Sequence, residues 1–134
     1  MKILSILITL ILLSNCAGSP VRVNSMSSEE LSLQTPFTLC NAYNYSKTEN
    51  VRAELVKRNV LSDFEWSLID GESLGIGMSE LALICTKGRV IPGFGTINIT
   101  TTAYGVNKQY VYENAFGNRQ YIYVEDGKVT SWQN

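Results

Sequence analysis

No histidine occurs anywhere in the 134 residues. That excludes Ser-His-Asp and Cys-His catalysis, His-x-x-x-His zinc sites and histidine-based pH switching. Basic excess is also missing. Eleven Lys and Arg face twelve Asp and Glu, a formal net charge of −1, so nothing offers a broad cradle for a phosphate backbone and no nucleic-acid partner is expected. No Cys-x-x-Cys and no metal-ligand cluster are present, so neither a cofactor nor a metal is expected. Gly75-Ile76-Gly77 is a lone Gly-x-Gly without a βαβ context, which excludes dinucleotide binding. Only 17% of the residues are charged and 45% are apolar, so the chain is not compositionally disordered. Its length suits one domain.

Long apolar runs are scarce too. Met1-Lys2 is a short positive start, and residues 3–13 are apolar apart from Ser5 and Thr9. Eleven residues cannot cross a bilayer, which needs about 20, but they fit the core of a secretory signal. Leu13-Ser14-Asn15-Cys16 follows and resembles a bacterial lipobox, with Leu three residues before a lipidated cysteine and Asn15 departing from the usual small residue. In that reading residues 1–15 are removed and Cys16 carries diacylglycerol and an acyl chain such as palmitate. Each buried CH₂ then contributes about 0.8 kcal/mol to membrane anchoring. Ala17 stands where an inner-membrane retention signal would have Asp, so the expected location is the outer membrane, facing the periplasm. The alternative is an ordinary secretory signal cut near Ala17 or Gly18.

Residues 19–35 are Ser-rich and poor in large apolar side chains, so 16–39 reads as a tether before a single domain at 40–134. A short helical turn at 28–33 is the only structure expected in it. Cys40 and Cys85 remain once Cys16 is lipidated. In an oxidising compartment two thiols suggest one disulfide. Its loop of about 45 residues would be worth roughly 4 kcal/mol in the chain-entropy model. Two buried free cysteines are the competing reading.

Ser46-Lys47-Thr48-Glu49 and Ser62-Asp63-Phe64-Glu65 both have the form of a capping box. They predict a helical hairpin over 46–71, with the charged run 52–58 as a solvated face. A third short helix starts at Ser79 and ends at Gly88. From Thr96 the period changes to two, predicting strands at 96–103, 109–113, 120–125 and 129–132. The expected class is therefore α+β: an N-terminal helical hairpin plus a third short helix packed on one face of a four-stranded antiparallel β-meander.

Taking Asp126-Gly127 and Gly117-Asn118 as two-residue turns sets Glu125 against Lys128, Tyr123 against Thr130 and Tyr112 against Tyr123. Tyr110, Tyr112, Tyr121, Tyr123 and Trp132 then share one face, and Val111, Ile122, Val124 and Val129 the other. Turn length at Gly105 leaves the register of the first strand open. The aromatic face is expected to bind a partner, because tyrosine hydroxyls tolerate water. The alternative makes the aromatics the core.

Gly77-Met78-Ser79, a helix ending near Gly88, Tyr110-Val111-Tyr112 and a last hairpin with Val124, Gly127 and Val129 occur in this order. Together they resemble the SmpA/OmlA domain, a small lipoprotein component of the outer-membrane β-barrel assembly machine. The resemblance covers residues 75–133. Gly88-Arg89-Val90 departs from that family's Gly-x-Pro helix end, and the hairpin at 46–70 lies outside its pattern. The resemblance implies helices packed on one side of an antiparallel sheet and an envelope compartment. The lipobox, the absent histidines and the aromatic face lead to the expectation of a non-catalytic lipoprotein that binds an envelope protein partner. A second possibility is an inhibitor or exclusion lipoprotein that blocks an enzyme, toxin or phage. Glu113, Glu125 and Asp126 are the carboxylates an enzyme would need, and nothing in the sequence converges them.

Overall fold

A computed structural model describes residues 18–134, so the expected signal segment and Cys16 lie outside the described residues. The fold is α+β, with six helices among the described residues and one four-stranded antiparallel sheet. The chain divides into two compact units that part between Val60 and Leu61. That division falls inside the connection of the expected helical hairpin, whose two helices belong to different units.

The first unit contains α1 (Pro20–Asn24), α2 (Ser28–Ser32), α3 (Pro36–Ser46) and α4 (Glu49–Arg58). The region expected as a tether is thus largely helical. Its local chemistry explains why. Ser19, Ser27 and Thr35 each cap a helix through the side-chain oxygen, Pro20 and Pro36 pre-set the first turn, and Ser27 forms a complete capping box with Glu30. The serines that suggested a linker are helix starts. Between them Val23, Met26 and Leu31 are buried with Leu39, Val51 and Leu55. The Asn24 amide donates to the carbonyls of Pro20 and Ala42, each at 2.8 Å. Its oxygen accepts from the Thr48 hydroxyl at 2.6 Å, which ties α1, α3 and the start of α4 together.

That last bond corrects one expected capping box. Ser46 closes α3, and Thr48 is the N-cap of α4 but makes no side-chain cap bond, because its hydroxyl is turned to Asn24. The charged run on α4 is not simply solvated either. Arg58 donates to Glu54 at 2.7 Å and to the carbonyls of Leu31, Ser32 and Gln34, which closes the C-terminal end of α2. Glu54 is buried. A planar guanidinium serves four oxygens here, which a lysine could not do.

The second unit holds α5 (Asp63–Asp70), α6 (Glu80–Lys87), β1 (Gly95–Thr102), β2 (Gly105–Glu113), β3 (Arg119–Glu125) and β4 (Lys128–Gln133). The Ser62/Glu65 capping box is present as expected. Glu65 does more than cap. It also accepts from the Ser79 N–H at 2.7 Å and so links the start of α5 to the N-cap of α6. Burial raises its pKa, but bonds from Ser79 and Ser62 outweigh that and hold the carboxyl below its usual range. Just before α6, Gly77 donates to Val129 at 2.8 Å, Val129 to Met78 at 2.9 Å and Glu80 to Gly127 at 2.9 Å. Residues 77–80 therefore lie along part of the outer edge of β4.

The sheet runs in the order β1-β2-β3-β4, a meander as expected. The register differs from expectation in two places. Asp126 and Gly127 both take positive φ, 46° and 79°, and form the expected tight turn with Glu125 opposite Lys128. A bulge then inserts one residue, so Tyr123 faces Ser131 and Ile122 faces Trp132. Between β2 and β3 the connection is the five-residue loop 114–118, not a two-residue turn. The Asn114 side chain builds it by accepting from the N–H groups of Phe116 and Asn118. Tyr112 consequently faces Gln120, and Tyr110 faces Ile122.

Candidate functional site

These shifts separate the aromatic residues. Because neighbours in a strand point to opposite faces, Tyr110, Tyr112, Ile122 and Trp132 share one face with Val124 and Val129. Tyr121 and Tyr123 lie on the other face with Val111. The single aromatic face expected from the sequence does not exist, since an odd change in loop length exchanges the two sides of a strand.

Helix α6 covers the first face. Ser79 caps it by accepting from Ala82 N–H, and Gly88 ends it at φ 76°, a conformation that favours glycine. Residues 82–86 are buried. Two tyrosines fasten its ends. The Tyr110 hydroxyl donates to the Glu80 carboxylate, which also accepts from Lys108 at 2.7 Å. The Tyr112 hydroxyl donates to the Gly88 carbonyl at 2.9 Å. The rings stack with centroids 6.2 Å apart, and the Lys87 ammonium lies 5.6 Å from the Tyr112 ring centre. Burial, and then the Glu80 charge, push both phenols far above their ordinary pKa. Tyr110 and Tyr112 thus hold the fold together, and their hydroxyls are already occupied.

On the opposite face Asn98 donates to Gln109 at 2.9 Å, and Gln109 donates to the Tyr123 hydroxyl at 3.3 Å. This row crosses β1, β2 and β3 at matched positions. Thr96, Thr100 and Asn107 lie beside it and are exposed, while Tyr121 and Tyr123 are half-buried. The face therefore presents amides, hydroxyls and two rings, with the Glu113–Arg119 ion pair beside Tyr121 and Glu125 beside Tyr123, a surface suited to hydrogen bonding and stacking. Sequence reasoning missed Asn98 and Gln109, although the strict Asn/Thr alternation of 96–102 marks a polar side.

An open depression of about 680 Å³ lies at one end of the sheet, lined by Tyr112, Gln120, Asn118 and Lys87 among others. The side-chain oxygen of Gln120 is buried there without a protein partner. The carboxylates considered for chemistry are dispersed. Glu113 pairs with Arg119 at 2.7 Å, Asp126 accepts from the Val106 N–H at 3.0 Å, and Glu125 is exposed. Cys40 on α3 is fully buried and disulfide-bonded, and so is Cys85 on α6.

Among the described residues no group of three or more acidic or cysteine side chains could hold a metal ion, and no helix is long and apolar enough to cross a membrane. The chain matches no protein-family model, no curated protein and no solved structure.

Proposed function

We propose that this chain is a non-catalytic, lipid-anchored envelope protein that binds a protein partner at the outer membrane, in the assembly or maintenance of the envelope. The observation that carries the reading is the asymmetry of the sheet. One face is fastened under α6, while the other carries Tyr121 and Tyr123 among hydrogen-bonding amides and hydroxyls, with the Glu113–Arg119 pair and Glu125 beside them. Aromatic rings with polar tips gain contact area at low entropic cost, which suits a protein interface. The lipobox at Leu13 to Cys16 and the SmpA/OmlA resemblance of residues 75–133 support the location and the absence of chemistry. The anchor at Cys16 would hold the domain at the bilayer.

Two measurements test this. Globomycin, which blocks lipoprotein signal cleavage, leaves the precursor uncut; normal processing in its presence defeats the anchor. Capture from envelope membranes recovers a protein partner with the wild-type chain and loses it with Tyr121→Ala/Tyr123→Ala. Equal capture by both chains, or no partner from either, removes the open face as the binding surface.

A further inference from the structure

The two edges of the sheet are treated differently. At β4 residues 77–80 occupy the start of the edge. At β1 no strand among the described residues pairs with the outer side, and seven of its eight residues are exposed. Soluble proteins blunt such an edge with lysine, proline, a bulge or an inward charge. Gly95–Thr102 reads GTINITTT and has none of these, and its ladder to β2 is unbroken.

Which groups point outward follows from the pairing. Phe94 accepts from the Glu113 N–H, so position 94 turns its backbone toward β2. Hydrogen-bonding direction alternates along an antiparallel strand. The N–H and C=O groups of residues 95, 97, 99 and 101 therefore face away from β2. These four positions are symmetric about Asn98.

We infer that β1 pairs antiparallel with β1 of a second copy of this chain, about a two-fold axis at Asn98. A charge on the two-fold axis, or like charges at symmetric positions, would repel its own copy, and β1 is uncharged along its whole length. The same register sets Ile97 of each chain beside Ile99 of the other. These two side chains are 42% and 61% exposed and lie on one face. Their pairing removes apolar surface from water. Asn98 meets Asn98, and Thr96 meets Thr100. All four outward donors and acceptors in each chain are satisfied, and an eight-stranded sheet results with the tyrosine-bearing open face extended across both copies. A different protein that adds a strand here is the other occupant of such an edge, and it lacks this symmetry argument.

Cysteine cross-linking of the full-length chain in membranes is the test. In the two-fold register position 98 is a non-hydrogen-bonded pair with itself, where Cα atoms lie about 4.5 Å apart, within disulfide reach. Under mild oxidation Asn98→Cys gives a reducible dimer, while wild type, Thr96→Cys and Thr100→Cys remain monomeric. In the Asn98→Cys background, Ile97→Lys/Ile99→Lys lowers the dimer yield about tenfold, and Ile97→Glu/Ile99→Lys restores it. A monomeric Asn98→Cys chain overturns the inference, as does equal cross-linking at all three positions or a cross-link to a different protein. Partner capture through Tyr121 and Tyr123 is read separately, so either idea can fail while the other stands.

Discussion

Four tyrosines on two adjacent strands have opposite fates. Tyr110 and Tyr112 on β2 lie under α6, with both hydroxyls committed to its two ends. Tyr121 and Tyr123 on β3 face away from that helix and remain half-buried. Residue type does not separate the pairs. The difference is which side of the sheet a strand turns toward the helix, and the loop at 114–118 sets that for β3. A tyrosine whose hydroxyl meets a helix terminus is a structural part, because burying it without a partner would cost about 1–3 kcal/mol. A tyrosine linked only to a surface amide is available for contact.

Truncation should divide the pairs most sharply. Tyr110 is 4% exposed. Tyr110→Ala removes a large ring from the interior and leaves Glu80 without its phenol, so a loss of about 3–5 kcal/mol is expected, read as a lower urea midpoint. Tyr110→Phe keeps the ring and loses only the hydroxyl, for about 1–2 kcal/mol. If Tyr121→Ala cost as much as Tyr110→Ala, the contrast between the faces would collapse.

Alkaline titration gives the next largest effect. Both phenols beneath α6 have folded pKa values raised above the ordinary 10.0. Below pH 10 they are neutral in both states, and their contribution to stability is fully present. Above it the unfolded chain ionises first and binds fewer protons than the folded one, so stability falls as pH rises. Chemical denaturation at a series of alkaline pH values should show this decline. Tyr110→Phe/Tyr112→Phe should flatten it.

Glu65 offers the opposite sign on a smaller scale. Its folded pKa is lowered, so its contribution is present above the unfolded pKa and disappears as pH falls through the folded value. Glu65→Gln should weaken the link between α5 and α6 at neutral pH and reduce the slope of stability against pH in the acid range.

Much of this architecture is visible in short sequence signals. The Ser62/Glu65 box, Ser79 and Gly88 around α6, the Asp126-Gly127 turn and the period-two strands all lie where their residue types predict. Each depends on chemistry within four residues. The failures have longer range or hinge on one residue. Ser46 does not cap the helix it is expected to start, because the preceding helix runs through it to Lys47 at φ 50°, and the Thr48 hydroxyl at the actual cap goes to Asn24, distant in sequence. Ser27 and Thr35 look like linker residues until Val23, Leu31 and Leu39 are buried behind them. The faces of β3 and β4 turn on one loop length and one bulge, and neither leaves a composition signal. A candidate surface built by register is therefore the first thing such errors reverse.

The smallest stability change belongs to the open face, and it separates folding from function. Tyr123 accepts one bond at 3.3 Å from Gln109 and carries no helix cap. Tyr123→Ala should therefore shift the urea midpoint by about 1 kcal/mol or less. A partner that stacks on this ring would still lose most of its affinity, because exposed aromatic anchors contribute more to binding than to folding. Capture and stability should thus respond in reverse order at Tyr110 and Tyr123. Tyr110→Phe destabilises while leaving capture intact, and Tyr123→Ala removes capture while leaving the fold nearly unchanged. Parallel losses in both assays at both positions would mean that one continuous structure, and not two faces with separate tasks, governs what the protein touches.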